Sequence, residues 1–524
     1  MPSGTQALTW IAMRALLVGA VAWASTAQAK GTRASEVARF SRLQARLRQD
    51  PTSVSPGRRR VRIVVPSYYS GDPALEQRHL YEILGLHDPS LRLVIATSSR
   101  VTPEVRDYYL SLLPPSVRTS AKERLTLITA DDPSSTPLAR KLLGRPKLLA
   151  ELDKSRGNGR AHLHVYTAGP LERELSLHLG VPLLGTDPAL EYWGSKSGGM
   201  KLFDEADVPH TDGENHLHTE LEVARATVAL LERKPMLPGA VVKLNYEAAG
   251  RGNAILDLLA IPDVGVGSRE ERAERIVHAL PTMKFIAPGQ TWGGFRRRLE
   301  TIGVRVEELL DGDEITSPSV QGYIGPDGRG RVISTHEQVL GGESNQKYLG
   351  ARFPAEPVYR RELATMGEAV LHRLAQKGAM GYFGVDTLGV RPRGGKWELK
   401  ALETNLRLTA AVPPYEATRL LTGADYDPAT GHLVQPSGQA KFYLSTEHVN
   451  LPGLVGMKPS ALLSRPSIAD LTFDSTRHTG AFFHMLGPLE AHGRAGFVAI
   501  GNSPAEAESI YGTTLTTLAR EAGN

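Results

Sequence analysis

With 524 residues, 41% of them hydrophobic and 22% charged, the chain is too long for one ordinary core and too apolar for large-scale disorder; about three domains are expected. The formal charge of +5 is small for this length, and neither basic run, Arg58-Arg59-Arg60 nor Arg296-Arg297-Arg298, has the interleaved aromatics of a nucleic-acid surface. Both read as solvated faces, no nucleic-acid partner is expected, and the absence of cysteine excludes disulfides, thiolate zinc sites and a cysteine nucleophile.

Residues 1–37 read as an N-terminal extension, either signal-like or a mis-assigned start. Arg14 precedes an apolar run from Ala15 to Ala24, and Ala27-Gln28-Ala29 resembles a signal-peptidase site; the run is too short to span a bilayer. A basic amphipathic stretch, Phe40 to Arg48, and a Pro/Ser-rich linker, Asp50 to Gly57, follow. Strand-length apolar runs then appear at Val61–Val65, Leu91–Thr97, Leu125–Thr129 and His162–Thr167, separated by helix-length segments such as Ala74–Leu86 and Pro103–Leu113. Strands alternating with helices predict parallel βαβ units. Residues 38–185 therefore read as a Rossmann-like α/β domain, without the G-x-G-x-x-G turn of a dinucleotide site.

The next region, 186–408, carries a helix near Gly199–Ala206, a long helix from Thr219 to Leu231 and several strand pairs with Gly-rich turns. Region 409–524 ends with a strand, Phe497–Ile500, and a helix started by Ser503 as N-cap and Pro504 at its first position.

Chemistry concentrates in Gly384-Val385-Asp386 through Leu402-Glu403-Thr404-Asn405-Leu406-Arg407, with Arg391-Pro392-Arg393-Gly394-Gly395 as the turn between the halves. A hairpin about Gly394 and Gly395 sets Asp386 opposite Glu403, and alternation brings Asn405 and Arg407 onto the face of Glu403. Opposed carboxylates repel, so either the register slips or a cation lies between them; an all-oxygen set suits magnesium. Acids that simply face water are the competing reading.

Other segments bear on that choice. The strand Ala240–Asn245 carries Lys243 and leads into Glu247-Ala248-Ala249-Gly250-Arg251-Gly252-Asn253, whose glycines allow close approach to phosphate. Gly194-Ser195-Lys196-Ser197-Gly198-Gly199 enters a helix, placing Lys196 where an anion meets helix N–H groups. The strand end Val304 to Leu310, with Glu307 and Glu308, can offer backbone groups to an adenine edge. The pairs His162/His164 and His216/His218 have chelating spacing without a third ligand, and read as structural; Met283, Trp292 and Phe295 read as packing residues.

Taken in order, Lys196, Lys243 with its Gly-rich loop, Glu307-Glu308 and Asp386/Glu403-x-Asn405 resemble the ATP-grasp fold. Gly185-Thr186-Asp187-Pro188-Ala189-Leu190, Ser317-Pro318-Ser319-Val320-Gln321, Thr335-His336-Glu337-Gln338-Val339-Leu340-Gly341-Gly342 and Gly350-Ala351-Arg352-Phe353-Pro354 resemble the pheganomycin-type peptide ligases, a carboxylate–amine ligase branch. Pro436 to Tyr443 and Gly501-Asn502-Ser503-Pro504 are similar to that branch's C-terminal domain, so the likeness runs from about Phe40 to the end.

The resemblance implies an α/β fold (α+β in the core): a Rossmann-like pre-ATP-grasp domain at 38–185, the ATP-grasp domain at 186–408 and a C-terminal α+β domain at 409–524. It implies ATP and magnesium as cofactors and small-molecule carboxylate and amine or peptide substrates, joined through an acyl phosphate. By the same resemblance Asp386, Glu403 and Asn405 hold the metal, and Lys196, Lys243, Gly250 and Gly252 meet the phosphates. Glu307, Glu308 and Leu310 lie at the adenine hinge, and Arg407 and Lys243 serve the chemistry. Two stretches depart from the branch: Ala249-Gly250-Arg251-Gly252-Asn253 replaces its usual Ser-Gly-Glu-Gly-Asn, and Leu408 to Pro414 replaces a Gly-Gly-Thr-Thr-His-Pro-like run. A nucleotide-binding pseudoenzyme and another ATP-grasp phosphotransferase or carboxylase are the alternatives; no Met-Lys-Met biotinyl segment is present. The need for ATP favours a cytoplasmic location against the signal-like extension. No stable membrane insertion is expected, and no motif specifies an oligomeric state.

Overall fold

A computed structural model of the protein describes residues 35–68, 73–157, 160–247, 250–341 and 347–523. The signal-like segment and Ala27-Gln28-Ala29 lie outside the described residues, as do Ala248 and Ala249 of the Gly-rich loop. Among the described residues, no helix is long and apolar enough to cross a membrane.

The first layer is a five-stranded, wholly parallel sheet. Its order is Leu125–Thr129, Leu91–Thr97, Arg60–Val65, Arg160–Val165 and Leu183–Leu184. The chain runs outward in one direction and then crosses back over the first strand, so the strand order reverses between Arg60–Val65 and Arg160–Val165. A helix over 35–49 closes the far edge: the Gln44 amide donates to the Leu183 carbonyl at 2.9 Å and accepts from the Leu183 N–H at 2.8 Å, as a neighbouring strand would. The helix-length segment read at Ala74–Leu86 forms a 3-10 helix, Pro73–His87, with Glu76 through Leu86 all buried. One sequence expectation is corrected here. Arg60 is not part of a solvated basic face; it is the first residue of its strand, is buried, and pairs with Asp88 at 2.8 Å.

A second, antiparallel sheet of five strands runs Gly213–Leu217, Val304–Glu308, Gly239–Leu244, Asn253–Asp257 and Lys284–Phe285. Helices Glu220–Arg233, Arg269–Ala279 and Trp292–Ile302 supply apolar residues to its core, and Met283 and Phe295 are buried in it as expected. The first two helices begin with a capping box, Thr219 with Glu222 and Ser268 with Glu271, which satisfies otherwise orphaned N–H groups.

The third sheet has eleven strands. Eight of them run from one edge as Glu398–Asn405, Gly381–Arg391, Pro318–Ile324, Gly330–Gly341, Lys347–Phe353, Ala440–Asn450, Arg494–Gly501 and Gly480–His484; Glu314–Thr316 pairs with Gly381–Arg391, and His432–Val434, followed by Asp425–Asp427, pairs with Ala440–Asn450. Strands from both sides of residue 408 thus share one sheet. Helices Lys196–Glu205 and Arg360–Gln376 fill a core against Val320, Val332, Phe383 and Val385. The last helix, Pro504–Gly523, starts as expected, with the Ser503 hydroxyl accepting from the Glu506 N–H at 3.1 Å.

Burial has a measurable cost in acid. His79, His336 and His484 are buried, and desolvation pushes each imidazole down to about 3, so all three are neutral in the folded chain. An unfolded histidine takes up its proton near pH 6.5. Between that pH and about 3 the unfolded chain therefore binds more protons, and stability falls as pH falls, by on the order of 2 kcal/mol per histidine at pH 5. We expect the urea midpoint to be clearly lower at pH 5 than at pH 7; equal midpoints would show that these rings accept protons in the folded protein.

Candidate functional site

The hairpin forms in the anticipated register. Gly381–Arg391 pairs with Glu398–Asn405 so that Asp386 lies opposite Glu403 and Gly384 opposite Asn405. A bulge between Asp386 and Thr387 then shifts the remaining pairs by one residue, leaving the two carboxylates side by side where the ladder is still regular. Gly384 has no room for a side chain, since a Cβ there would stand 2.7 Å from Gln321 Oε1 and from Thr409 Cγ2.

Around this pair the chain gathers donors. Asn405 Nδ2 donates to Asp386 Oδ2 at 2.9 Å and reaches Glu403 Oε1 at 3.5 Å. Gln338 Nε2 donates to Asp386 Oδ1 at 2.9 Å, and the Lys196 ammonium pairs with Glu403 Oε2. Arg407 donates to Asn405 Oδ1 at 2.7 Å and to the Tyr166 hydroxyl at 3.0 Å, its guanidinium lying over the Tyr166 ring. Desolvation pushes the Asp386 carboxyl above its ordinary range despite Arg407 and Lys196. Burial, with the charge of Lys243, pushes the Lys196 ammonium down to about 7 against the pull of Asp386 and Glu307. Two carboxylates with an amide beside them, and no sulfur or imidazole, fit magnesium as a hard-oxygen donor set once the Asn405 amide turns its oxygen from Arg407 toward the acids.

Lys196 is placed by a short helix start. Ser195 caps the helix Lys196–Glu205, its hydroxyl accepting from the Gly198 N–H at 3.0 Å. Gly198 is required there, because a Cβ would stand 1.9 Å from the Tyr192 carbonyl oxygen. Asn245 then fastens this helix to the second sheet: its Oδ1 accepts from the Ser197 N–H at 3.1 Å and hydroxyl at 2.7 Å, and its carbonyl accepts from the Lys196 N–H at 3.0 Å. Asn245 immediately follows the strand that carries Lys243, so both lysines are set by one junction.

Lys243 pairs with Glu307, whose other oxygen accepts from Arg305 Nε at 3.0 Å and from the Thr211 hydroxyl at 3.0 Å. Burial alone would push the Glu307 carboxyl up, but Lys243 and Arg305 outweigh it and hold it below its usual range. Glu308, on the opposite face, is taken by Lys234, by Lys400 at 2.9 Å and by the Asp212 N–H at 3.0 Å. The half-buried Leu310 follows Leu309, whose N–H donates to the Gly239 carbonyl at 3.1 Å. Gly250, at φ +72°, turns the chain between the second-sheet strands, and a Cβ at Gly252 would stand 2.6 Å from the Glu247 Cβ.

The structure thus brings together Lys196, Asp386, Glu403, Asn405 and Arg407, with Lys243 and Glu307 joined through Asn245. Glu308 belongs to a separate cluster bridging the second and third sheets. Gln338, Tyr166, Asn245 and Arg305 were not singled out by the sequence reading. Gln338 had a signal, since it lies in the Thr335–Gly342 motif; Arg305 alternates with Glu307 on a recognised strand. Tyr166 had none, because its place depends on the first sheet meeting the third. Among the described residues no cluster of three His, Asp or Glu side chains forms a metal cage; His164 contacts Glu82 at 2.7 Å and His216 stacks on Tyr192.

Residues 289–428 match the IQCH-like ATP-grasp domain family. Over 443 residues, 82% of this chain and 86% of the relative, the sequence is 31% identical to L-propargylglycine–L-glutamate ligase of Streptantibioticus cattleyicolor. The chain belongs to the ATP-grasp carboxylate–amine ligase family. It is an ATP-dependent ligase that forms carbon–nitrogen bonds. IQ motif-containing protein H of Danio rerio is 20% identical over 429 residues, 73% of this chain and 40% of that protein. In fold, the chain is similar to the biotin carboxylase domain of Hydrogenobacter thermophilus 2-oxoglutarate carboxylase, bound to MgADP and bicarbonate. The TM-score is 0.51 at 11% identity, covering 89% of this chain and 94% of that one. Biotin carboxylase from Campylobacter jejuni gives 0.51 at 10%, covering 89% and 95%. Both are likenesses of fold alone.

Arg305 is 1% exposed and depends on Glu307 for its counter-charge. Glu307→Leu leaves Arg305 and Lys243 buried without it, and we expect a loss of about 3–5 kcal/mol of stability, read as a lower thermal midpoint. A midpoint equal to that of the unsubstituted protein would mean that water already reaches this cluster.

Proposed function

We propose that this ligase phosphorylates a carboxylate with ATP and then lets an amine displace phosphate from the acyl phosphate. The observation that carries the reading is the convergence of Asp386, Glu403, Asn405, Lys196 and Arg407 on one face of the third sheet. Magnesium held by Asp386, Glu403 and Asn405 would neutralise charge on the phosphates. Lys196 leaves Glu403 for a phosphate oxygen, and Lys243 meets a second one while Glu307 holds its ammonium in place. The backbone around Gly250 and Gly252 covers the phosphates, and the segment from Glu307 and Glu308 to Leu310 borders the adenine. Arg407, fixed by Asn405 and Tyr166, steadies the acyl phosphate, which needs no covalent enzyme nucleophile. The preceding parallel-sheet unit (38–185), the ATP-grasp unit (186–408) and the C-terminal unit (409–524) divide the work of holding substrates and nucleotide. The relative's name pairs two amino acids, which supports amino acids or short peptides as the acid and the amine. The use of ATP supports a cytoplasmic location.

Phosphate and ADP release with ATP and magnesium, against single amino acids and their pairs, tests this. Release should rise with one acid–amine pair, and with the acid alone hydroxylamine should trap an acyl hydroxamate. Tight ATP binding without turnover on any pair would instead favour a nucleotide-binding module. Glu403→Ala should lower magnesium-dependent turnover by at least about 100-fold while the circular dichroism spectrum is kept. Unchanged turnover in that variant would remove Glu403 from the metal set.

A further inference from the structure

The parallel sheet reverses its strand order between Arg60–Val65 and Arg160–Val165, and ligands of open α/β sheets bind outside the carboxyl ends of strands at such a point. Tyr68 lies just beyond the first of these strands and Tyr166 just beyond the second. Their rings stack at 4.0 Å between centroids, 27° from parallel. One end of this aromatic pair meets the reaction centre through the Tyr166–Arg407 hydrogen bond. At the other end the Arg78 guanidinium lies 5.9 Å from the Tyr68 ring centroid.

Arg78 comes from the buried 3-10 helix and pairs with Glu447, on the third-sheet strand Ala440–Asn450. Their side chains are 8% and 3% exposed. An isolated buried pair of this kind is poor stabilisation, and this one is incompletely satisfied: Arg78 Nε and Glu447 Oε1 are buried without a hydrogen-bond partner. His484 Nε2, close enough to feel the charge of Arg78, is buried without one too. The Arg78–Glu447 pair therefore offers one unused donor and one unused acceptor of opposite charge, at the end of the Tyr68–Tyr166 stack away from Arg407.

We propose that Arg78 and Glu447 bind the α-carboxylate and α-ammonium of an amino-acid substrate, with the Tyr68–Tyr166 stack guiding it toward Arg407. The inference deepens the ligase reading and rests on it for the role of the bound amino acid. An ion pair between an arginine and a carboxylate is the mirror of a zwitterion: inserting one between them exchanges one charge-assisted contact for two. It also satisfies atoms that are otherwise desolvated without a partner. Arg78 and the two tyrosines belong to the first unit and Glu447 to the C-terminal one, so the head group would bind only when these two are joined.

The test uses the full chain and calorimetry with each of the twenty protein amino acids in turn. At least one should bind, and its N-acetyl and methyl ester forms should bind on the order of 100-fold more weakly, because each leaves one buried charge unpaired. Removing one partner alone risks misfolding, so the decisive variant replaces both, Arg78→Met with Glu447→Leu, which leaves no orphan charge. It should lose amino-acid affinity by a similar factor and keep its affinity for a non-hydrolysable ATP analogue. No binding by any amino acid, ester and free acid binding alike, or a double variant with unchanged amino-acid affinity overturns the inference. Amino-acid binding with these properties but no phosphate release on any pair would uphold this site and overturn the ligase chemistry instead.

Discussion

Two carboxylates placed opposite one another on a sheet repel, and the arrangement persists only if positive or donating groups surround them. Asp386 and Glu403 are held in that position by the hairpin register, with Val385 and Thr404, the neighbours of opposite facing, buried on the other side. A slip of one residue would expose those side chains and bury the acids, so the core on one face enforces the electrostatic tension on the other. Gln338, Asn405, Lys196 and Arg407 all answer to it. Each supplies positive charge or a hydrogen-bond donor, so together they offset the two acids.

That cluster is spread over several supports. The hairpin belongs to the third sheet, Lys196 to a helix start, Lys243 to the second sheet, and the residue that steadies Arg407 to the first. Asn245 joins the two lysine supports through its amide and carbonyl, and Lys400 crosses from the third sheet to Glu308 on the second. The departing run after Arg407 is likewise anchored: the Leu408 N–H donates to the Tyr166 carbonyl at 3.1 Å, and Thr409 packs on Gly384 and Gln321. The three sheets are therefore linked around this cluster through a few polar contacts.

The relation between sequence and structure is clearest where a claim rested on local periodicity. Alternation of side chains along two strands and a Gly-Gly turn were enough to pair Asp386 with Glu403, because strand period and turn position leave few registers. The Leu91–Thr97 and Leu125–Thr129 strands and the Ser503 cap were readable for the same reason: each is set by neighbours within a few residues. Readings failed where burial was decided from afar. Arg60 looked like part of a basic surface, yet its neighbour across the sheet end, Asp88, draws it inside. The polar segment Glu76-Gln77-Arg78-His79 gave no hint of burial; it is enclosed because the first layer and the C-terminal strands close over it.

What the sequence determined by itself was the chemistry of the donors and their spacing along each strand: two acids, an amide, two lysines and an arginine, set in order in segments whose local geometry is short-range. What only the tertiary structure decided was which of these groups meet. Gln338 reaches Asp386 across 48 positions, Lys196 reaches Glu403 across 207, and Arg78 reaches Glu447 across 369. No local preference encodes such pairings. They follow from the packing of whole layers, whose apolar faces fix the layers' relative positions and so decide which buried charges must find one another.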